Sequence, residues 1–209
     1  MKNPCKCFIL IASFLYSIFV VQINVVFASR PMDHVKMSID DLLVILTDEE
    51  LRKPEQSKER REAIRKLAEK NFDFEEMAKR SLARHWHGRT PQEKKEFVSL
   101  YYSLLWNTYI DIVEKYQDEE IEYLGEEIRG KYSEVRTKII TANAEVELDF
   151  RLLRRGNTWM AYDVIVKGVS LIRNYRSQFN HIMTSGSYEE LVERLKSKQV
   201  RKQPSSVHH

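Results

Sequence analysis

The stretch from Trp159 to Phe179 constrains the fold most, because a strand pattern changes to a helix pattern within it. Residues 159–166, WMAYDVIV, are rich in aromatic and β-branched side chains, which indicates a largely buried strand. After Gly168 the apolar residues recur with a helical period: Val169, Ile172, Tyr175, Phe179 and Ile182. A glycine between them permits a sharp turn and a close approach of strand and helix. The stretch therefore predicts that the last long strand of a sheet runs into a helix folded back over it.

Residues 1–28 have the pattern of a secretory signal peptide. Lys2 and Lys6 form a short basic region, residues 8–21 are almost continuously apolar, and Ala28 supplies the small residue of a cleavage site. A retained membrane anchor is the alternative, because residues 8–28 are just long enough to span a bilayer. We expect cleavage after Ala28 and export from the cytoplasm.

Removal of this segment changes the charge and the thiol content of the chain. The full sequence has 34 basic and 31 acidic residues, and loss of Lys2 and Lys6 leaves 32 basic residues against the same 31 acids. Cys5 and Cys7 are removed as well, which excludes disulfides and cysteine catalysis from the mature protein. Nearly balanced charges, spread along the chain, argue against a nucleic-acid partner.

The rest of the chain predicts an α+β fold with helices first, then an antiparallel meander, then further helices. The clearest helix start is Thr90-Pro91-Gln92-Glu93, with an N-cap threonine, a first-turn proline and a glutamate at the third position. It opens a long amphipathic helix that we expect to reach Gln117. Strands are predicted at 120–128, where Gly125 interrupts the pattern, at 133–142 and 144–154, and from Trp159. Residues 29–198 are therefore expected to form one domain, followed by a disordered tail at 199–209.

Catalytic and metal-binding patterns are scarce in this sequence. His85 and His87 form a close pair, but no further ligands are placed to complete a metal site. Asp163 is the one acid within the hydrophobic strand, and burial could raise its pKa and make it a general base. We favour the alternative that Asp163 meets an arginine or water, because no second acid or histidine on a neighbouring strand completes a site.

Apolar side chains are in excess along the final strand and the two amphipathic helices near it. Alternation places Met160, Tyr162, Val164 and Val166 on one face of the strand, and Trp159, Ala161 and Ile165 on the other. Such residues usually fill a core. The alternative hypothesis is that sheet and helices enclose an apolar cavity, which in an exported protein without catalytic groups suits the carriage of an apolar ligand.

Several of these segments resemble the MlaC-type (toluene-tolerance) periplasmic phospholipid carriers. The resemblance lies in Phe72-Asp73-Phe74-Glu75-Glu76-Met77-Ala78, in Leu82-Ala83-Arg84-His85-Trp86, in Thr90-Pro91 followed by Phe97, and in the stretch from Trp159 to Phe179. It extends from about Val35 to Lys198. The tyrosine-rich Tyr101-Tyr102 and Trp106 to Tyr109 segment departs from the family pattern and leaves pocket size and acyl-chain preference open.

The resemblance implies a curved antiparallel sheet of about four strands, wrapped by N-terminal and C-terminal helices around a hydrophobic pocket. It implies a monomeric periplasmic carrier of phospholipid between an inner-membrane lipid ABC-transporter complex and an outer-membrane lipoprotein complex, maintaining outer-membrane lipid asymmetry. It implies no catalytic residue, no metal and no cofactor other than the bound lipid. Nine residues are predicted to form the pocket wall: Leu104, Tyr109, Leu148, Phe150, Tyr162, Val164, Val166, Val169 and Ile172. A cavity enzyme with Asp163 as general base and an interaction module with a filled core are the alternatives.

Overall fold

A computed structural model describes residues 30–116, 119–141 and 143–200, with side chains up to residue 198. Helices α1 to α4 come first (Pro31–Thr47, Ser57–Asn71, Phe74–Leu82 and Pro91–Val113), with short 3-10 turns at Pro54–Gln56 and Ala83–Trp86. Strands β1 to β5 follow (Glu120–Arg129, Tyr132–Ile140, Glu145–Arg155, Thr158–Val166 and Val169–Ser170). The final helices are α5 (Leu171–Ser185) and α6 (Tyr188–Val200). The predicted α+β fold is confirmed; the predicted signal peptide and residues 201–209 lie outside the described residues.

Helices α3, α4, α5 and α6 begin where side chains cap their first turns. The Glu93 amide donates to the Thr90 hydroxyl over 3.2 Å, and the Thr90 amide donates to the Glu93 carboxylate over 2.7 Å. Asp73 accepts a 2.9 Å hydrogen bond from the Glu76 amide at the start of α3. These local pairs satisfy backbone donors that a helix start leaves free, and the predicted cap at Thr90 is confirmed.

The five strands form one antiparallel sheet in sequential order. Gly125 does not interrupt β1 but sits at a bulge opposite Arg136, so the strand continues to Arg129. Lys167 and Gly168 both have positive φ and make a tight turn. Because of this turn, Val169 and Ser170 pair with the end of β4 before α5 begins at Leu171. The periodicity of the sequence placed Val169 in the helix, whereas the structure places it in β5.

A bulge at Tyr162 changes which side chains of β4 share a face. Arg151 pairs with Asp163 and Leu152 pairs with Ala161, so Tyr162 is an extra residue in the ladder. Trp159 therefore lies on the same face as Val164, whereas simple alternation placed them on opposite faces. We call this face the α1 face, formed by Val135, Leu148, Phe150, Leu152, Trp159, Val164 and Val166. Met32 and Val35 of α1 pack on one end of it, against Val135, Leu152 and Trp159.

The main hydrophobic core lies among the helices. Met77 and Leu82 of α3 pack with Phe97 and Tyr101 of α4, and with residues of α5 and α6 such as Phe179. The Tyr101 hydroxyl is buried and accepts a 2.9 Å hydrogen bond from Ser81. Helix α4 packs mainly on α3 and α6, while α1, α2, α3 and α5 contact the sheet. The longest helix is thus held by other helices.

Candidate functional site

Four of the nine predicted wall residues lie together on the α1 face. Leu148 is the cross-strand partner of Val166, and Phe150 is the partner of Val164. All four side chains are half-buried, in contrast to Val135 and Leu152 farther along the same face, which are fully buried. The α1 face is therefore closed by α1 at one end and presents partly accessible apolar side chains at the other.

Of the other five predicted wall residues, four lie in the helical core or pack against it, and one lies on the edge strand β5. Leu104 and Ile172 are buried in the helical core, and Tyr109 packs half-buried against that core. Tyr162 lies beneath Arg80, whose guanidinium carbon is 4.1 Å from the ring centre. Val169 is 58% exposed on the short edge strand β5. The structure thus groups the four sheet residues and places the remaining five elsewhere.

A line of aromatic side chains that the sequence did not single out as a unit runs from β4 to the surface of α4. Phe72 pairs through its backbone with Ala161, and its ring lies 5.8 Å from that of Phe74. Phe74 meets Tyr102 edge-on at 4.7 Å, and Tyr102 stacks on Trp106 at 6.4 Å. The unusual density of aromatic residues between Tyr101 and Tyr109 was the only sequence signal for it.

Two surface grooves flank the helical side of the molecule. The basic groove, of about 520 Å³, lies between the start of α2 and α4 and is bordered by Glu55, Lys58, Arg61, Glu62, Arg65 and Trp106. The second, of about 360 Å³, lies between α1 and α2 and includes Val44, Leu67 and Lys70. None of the nine predicted wall residues borders either groove. The grooves are therefore separate features from the predicted wall.

The Asp163 carboxylate is engaged in holding the end of the sheet to α5. It accepts a 2.6 Å hydrogen bond from the Ser170 hydroxyl and a 3.0 Å hydrogen bond from the Ile172 amide. Arg151 lies 3.5 Å from the same carboxylate, as the favoured interpretation of the sequence predicted. Since its side chain is only 3% exposed, these contacts give it a structural role and lend no support to a general base.

The described residues offer neither a metal centre nor a membrane span. In ranges 30–116, 119–141 and 143–200, histidine, cysteine and acidic side chains do not form a group of three able to hold a metal ion. His85 instead pairs with Asn180 at 3.2 Å. The helices of those ranges are all too short or too polar to cross a bilayer.

Comparisons with known proteins agree with this architecture. The family model described as MlaC protein matches residues 36–197. A solved structure described as the phospholipid-binding protein from Ralstonia solanacearum in complex with a phospholipid is similar in fold, with a TM-score of 0.72 at 22% sequence identity. The similarity covers 83% of this chain and 98% of that one. At this identity the likeness establishes the fold.

Proposed function

The chain belongs to the MlaC family, and on that premise we propose that it is a phospholipid-binding protein that carries lipid through the periplasm. The observation that carries the proposal is the half-buried apolar patch on the α1 face, where Leu148 and Phe150 lie beside Val166 and Val164. A folded protein normally buries such a cluster completely or leaves it to a partner. Acyl chains are the partner that this patch suits, since it offers no charged side chain for a polar ligand.

The fold supports the same proposal. The similar protein from Ralstonia solanacearum was solved with a phospholipid bound, and this chain has the same overall architecture. Helix α1 packs on one end of the α1 face and leaves the four half-buried side chains at the other end partly accessible to a ligand.

The energetics define what a carrier must do. Each buried methylene contributes about 0.8 kcal/mol relative to water, so two long acyl chains represent roughly 20–25 kcal/mol. A free lipid in water is therefore nearly absent, while the bilayer offers acyl chains much the same environment as a protein pocket. A carrier consequently needs a pocket about as apolar as the membrane, so that lipid is both taken up and released.

The cellular part of the proposal comes from the family and from the N-terminal sequence. Residues 1–28 would direct the chain to the periplasm, where it would act as a monomer. It would exchange lipid with an inner-membrane transporter complex and an outer-membrane lipoprotein complex, and so help to maintain outer-membrane lipid asymmetry. No step of this role requires a catalytic residue or a metal.

Organic extraction of the purified mature chain, followed by mass spectrometry, tests the proposal. We expect diacyl phospholipid close to one molecule per chain. A matched sample, stripped of lipid and incubated with phosphatidylethanolamine–phosphatidylglycerol vesicles, should regain it. A chain that yields no lipid and takes none from vesicles would instead be an interaction module with a filled core.

A further inference from the structure

Helix α5 presents cations that no acidic side chain balances. The sequence has no acid between Asp163 and Glu189, and all of α5 lies within that stretch. Arg173 and Arg176 are exposed and three residues apart, so they lie on one side of the helix. Neither arginine forms a salt bridge in the ranges that the structure describes, and Arg176 instead donates to a backbone carbonyl. An exposed guanidinium without an acidic neighbour is available to an anion outside the chain.

A series of contacts joins α5 to the hairpin between β1 and β2. The Arg176 side chain donates a 2.9 Å hydrogen bond to the Arg80 carbonyl. The guanidinium carbon of Arg80 lies 4.1 Å from the centre of the Tyr162 ring and 5.5 Å from that of Tyr132. The Lys131 ammonium lies 5.5 Å from the same Tyr132 ring. The cations of α5 and of the hairpin therefore belong to one continuous surface.

Two further arginines extend this surface. The Arg154 amide donates a 2.8 Å hydrogen bond to the Lys131 carbonyl, and the Arg154 side chain is exposed. Arg84 is also exposed and lies 3.4 Å from His85, which contacts Asn180 of α5. Neither arginine has a salt-bridge partner among the described residues. We call the group the cationic surface, and its members are Arg84, Lys131, Arg154, Arg173 and Arg176.

The acids near the cationic surface are mostly buried or paired. Asp73 and Glu76 have side chains only 10% and 12% exposed, and both contact an arginine of β3. Glu127 and Glu134 pair with arginines of the sheet, over 2.7 and 2.9 Å. Glu75 is exposed and makes no salt bridge within the described ranges, so it can offset one cation of the five. The surface therefore keeps a strong positive charge, although the mature chain as a whole is nearly neutral.

A broad anionic surface fits this arrangement better than a single bound anion. The five cations come from separate elements, and none of them borders either groove, so they do not converge on one ligand. Tyr132 is 36% exposed and Ile128 of the same hairpin is 51% exposed, and such side chains can enter the headgroup region of a bilayer. A stable protein interface would call for a larger apolar centre.

We propose that the cationic surface draws the protein to bilayers that contain anionic phospholipid, where its arginines and lysine meet headgroup phosphates. Lipid headgroups rearrange freely, so this binding needs positive charge spread over an area and no fixed geometry. Each basic side chain near an anionic leaflet strengthens binding about fivefold, and salt screens the attraction. This binding goes beyond lipid carriage, since it does not require acyl chains on the α1 face.

Flotation of the mature chain with vesicles measures this binding. Vesicles with equal amounts of dioleoyl phosphatidylglycerol and dioleoyl phosphatidylcholine are compared with vesicles of the phosphatidylcholine alone, at low salt. We expect the wild type to float only with the anionic vesicles. The test variant combines Arg84→Gln, Arg154→Gln and Arg173→Gln, and its affinity for them should fall about a hundredfold. The control variant removes the same charge from exposed residues elsewhere: Arg52→Gln, Lys66→Gln and Lys115→Gln.

The control variant should lose less than about fivefold, because its cations lie outside the cationic surface. Equal losses in the two variants would overturn the proposal, since net charge would then govern binding. The single variant Lys131→Gln provides a milder test, with an expected loss of about fivefold and an unchanged circular dichroism spectrum. An unchanged affinity in this variant and in the test variant would also overturn the proposal.

Flotation and lipid content separate this proposal from that of a carrier. The test variant should keep wild-type levels of co-purified phospholipid, because its substitutions are remote from the apolar patch. A wild type that carries lipid but does not float with anionic vesicles would overturn the membrane contact and leave the carrier standing. If that wild type instead binds immobilised polyglutamate and the test variant does not, the cationic surface serves an acidic protein and the membrane proposal fails.

Discussion

The Ser170 hydroxyl donates a 2.6 Å hydrogen bond to the buried Asp163 carboxylate. Ser170 is also the N-cap of α5, where its oxygen accepts from the Arg173 amide. Asp163 accepts a second bond from the Ile172 amide in the same turn of helix. One carboxylate on β4 therefore fixes the start of α5, and the tight turn at Lys167 and Gly168 brings the two elements together.

Replacement of Asp163 with asparagine should lower the free energy of unfolding by about 1–3 kcal/mol, because a buried charge-assisted hydrogen bond is lost and one donor loses its acceptor. Chemical denaturation of the two proteins measures the change. Asp149→Asn is the matched control on β3, where burial already raises the pKa of the carboxyl and neutralisation should cost little. Equal effects of the two substitutions would contradict the role assigned to Asp163.

Thr90→Ala should destabilise the protein by about 1 kcal/mol, since it removes the hydroxyl that caps α4. Thr108→Ala on the same helix is the comparison: Thr108 bonds to the Leu104 carbonyl within the helix, and alanine has the higher helix propensity there. The melting temperature of Thr90→Ala should therefore lie below that of the wild type, whereas that of Thr108→Ala should not. Coincident melts would show that the capping box does not stabilise the fold.

His34 should make stability depend on pH near neutrality. Its pKa is lowered, first by burial and then by Lys70, so the folded protein resists a proton that the unfolded chain accepts. The contribution of neutral His34 to stability is therefore fully present above the pKa of the unfolded chain, about 6.5. It is lost as the pH falls toward the lower pKa of the folded protein. Denaturation at pH 7.5 and 5.5 should show a smaller loss in His34→Gln than in the wild type. Identical losses would place the pH dependence in other groups.

The sequence predicted the features that depend on neighbouring residues. The capping pair at Thr90 involves a side chain three positions from the amide that it binds, so the pattern can be read directly from the sequence. The antiparallel order of the strands followed from the short turns between them. The change from strand to helix after Gly168 was also visible, except that β5 intervenes before α5.

Features that depend on distant partners were not predicted. The bulge at Tyr162 is set by pairing with β3, and it moves Trp159 to the α1 face despite a regular alternation in the sequence. Leu104 and Ile172 lie on different helices, and only the fold brings both into the helical core; their assignment to the pocket wall stays a prediction. The contact of Tyr102 with Phe74 joins α4 to α3, which no local pattern reveals.

The central claim is that the apolar patch of the α1 face holds acyl chains. Leu148→Arg places a charge at its centre, opposite Val166, and should reduce co-purified diacyl lipid at least tenfold, since a buried charge is costly without a partner. Glu147→Arg, at the exposed neighbouring position of the same strand, should retain wild-type lipid. Circular dichroism should confirm that both variants are folded. The decisive measurement is the molar ratio of phospholipid to protein in Leu148→Arg: a ratio near zero is predicted, and a wild-type ratio would contradict the account.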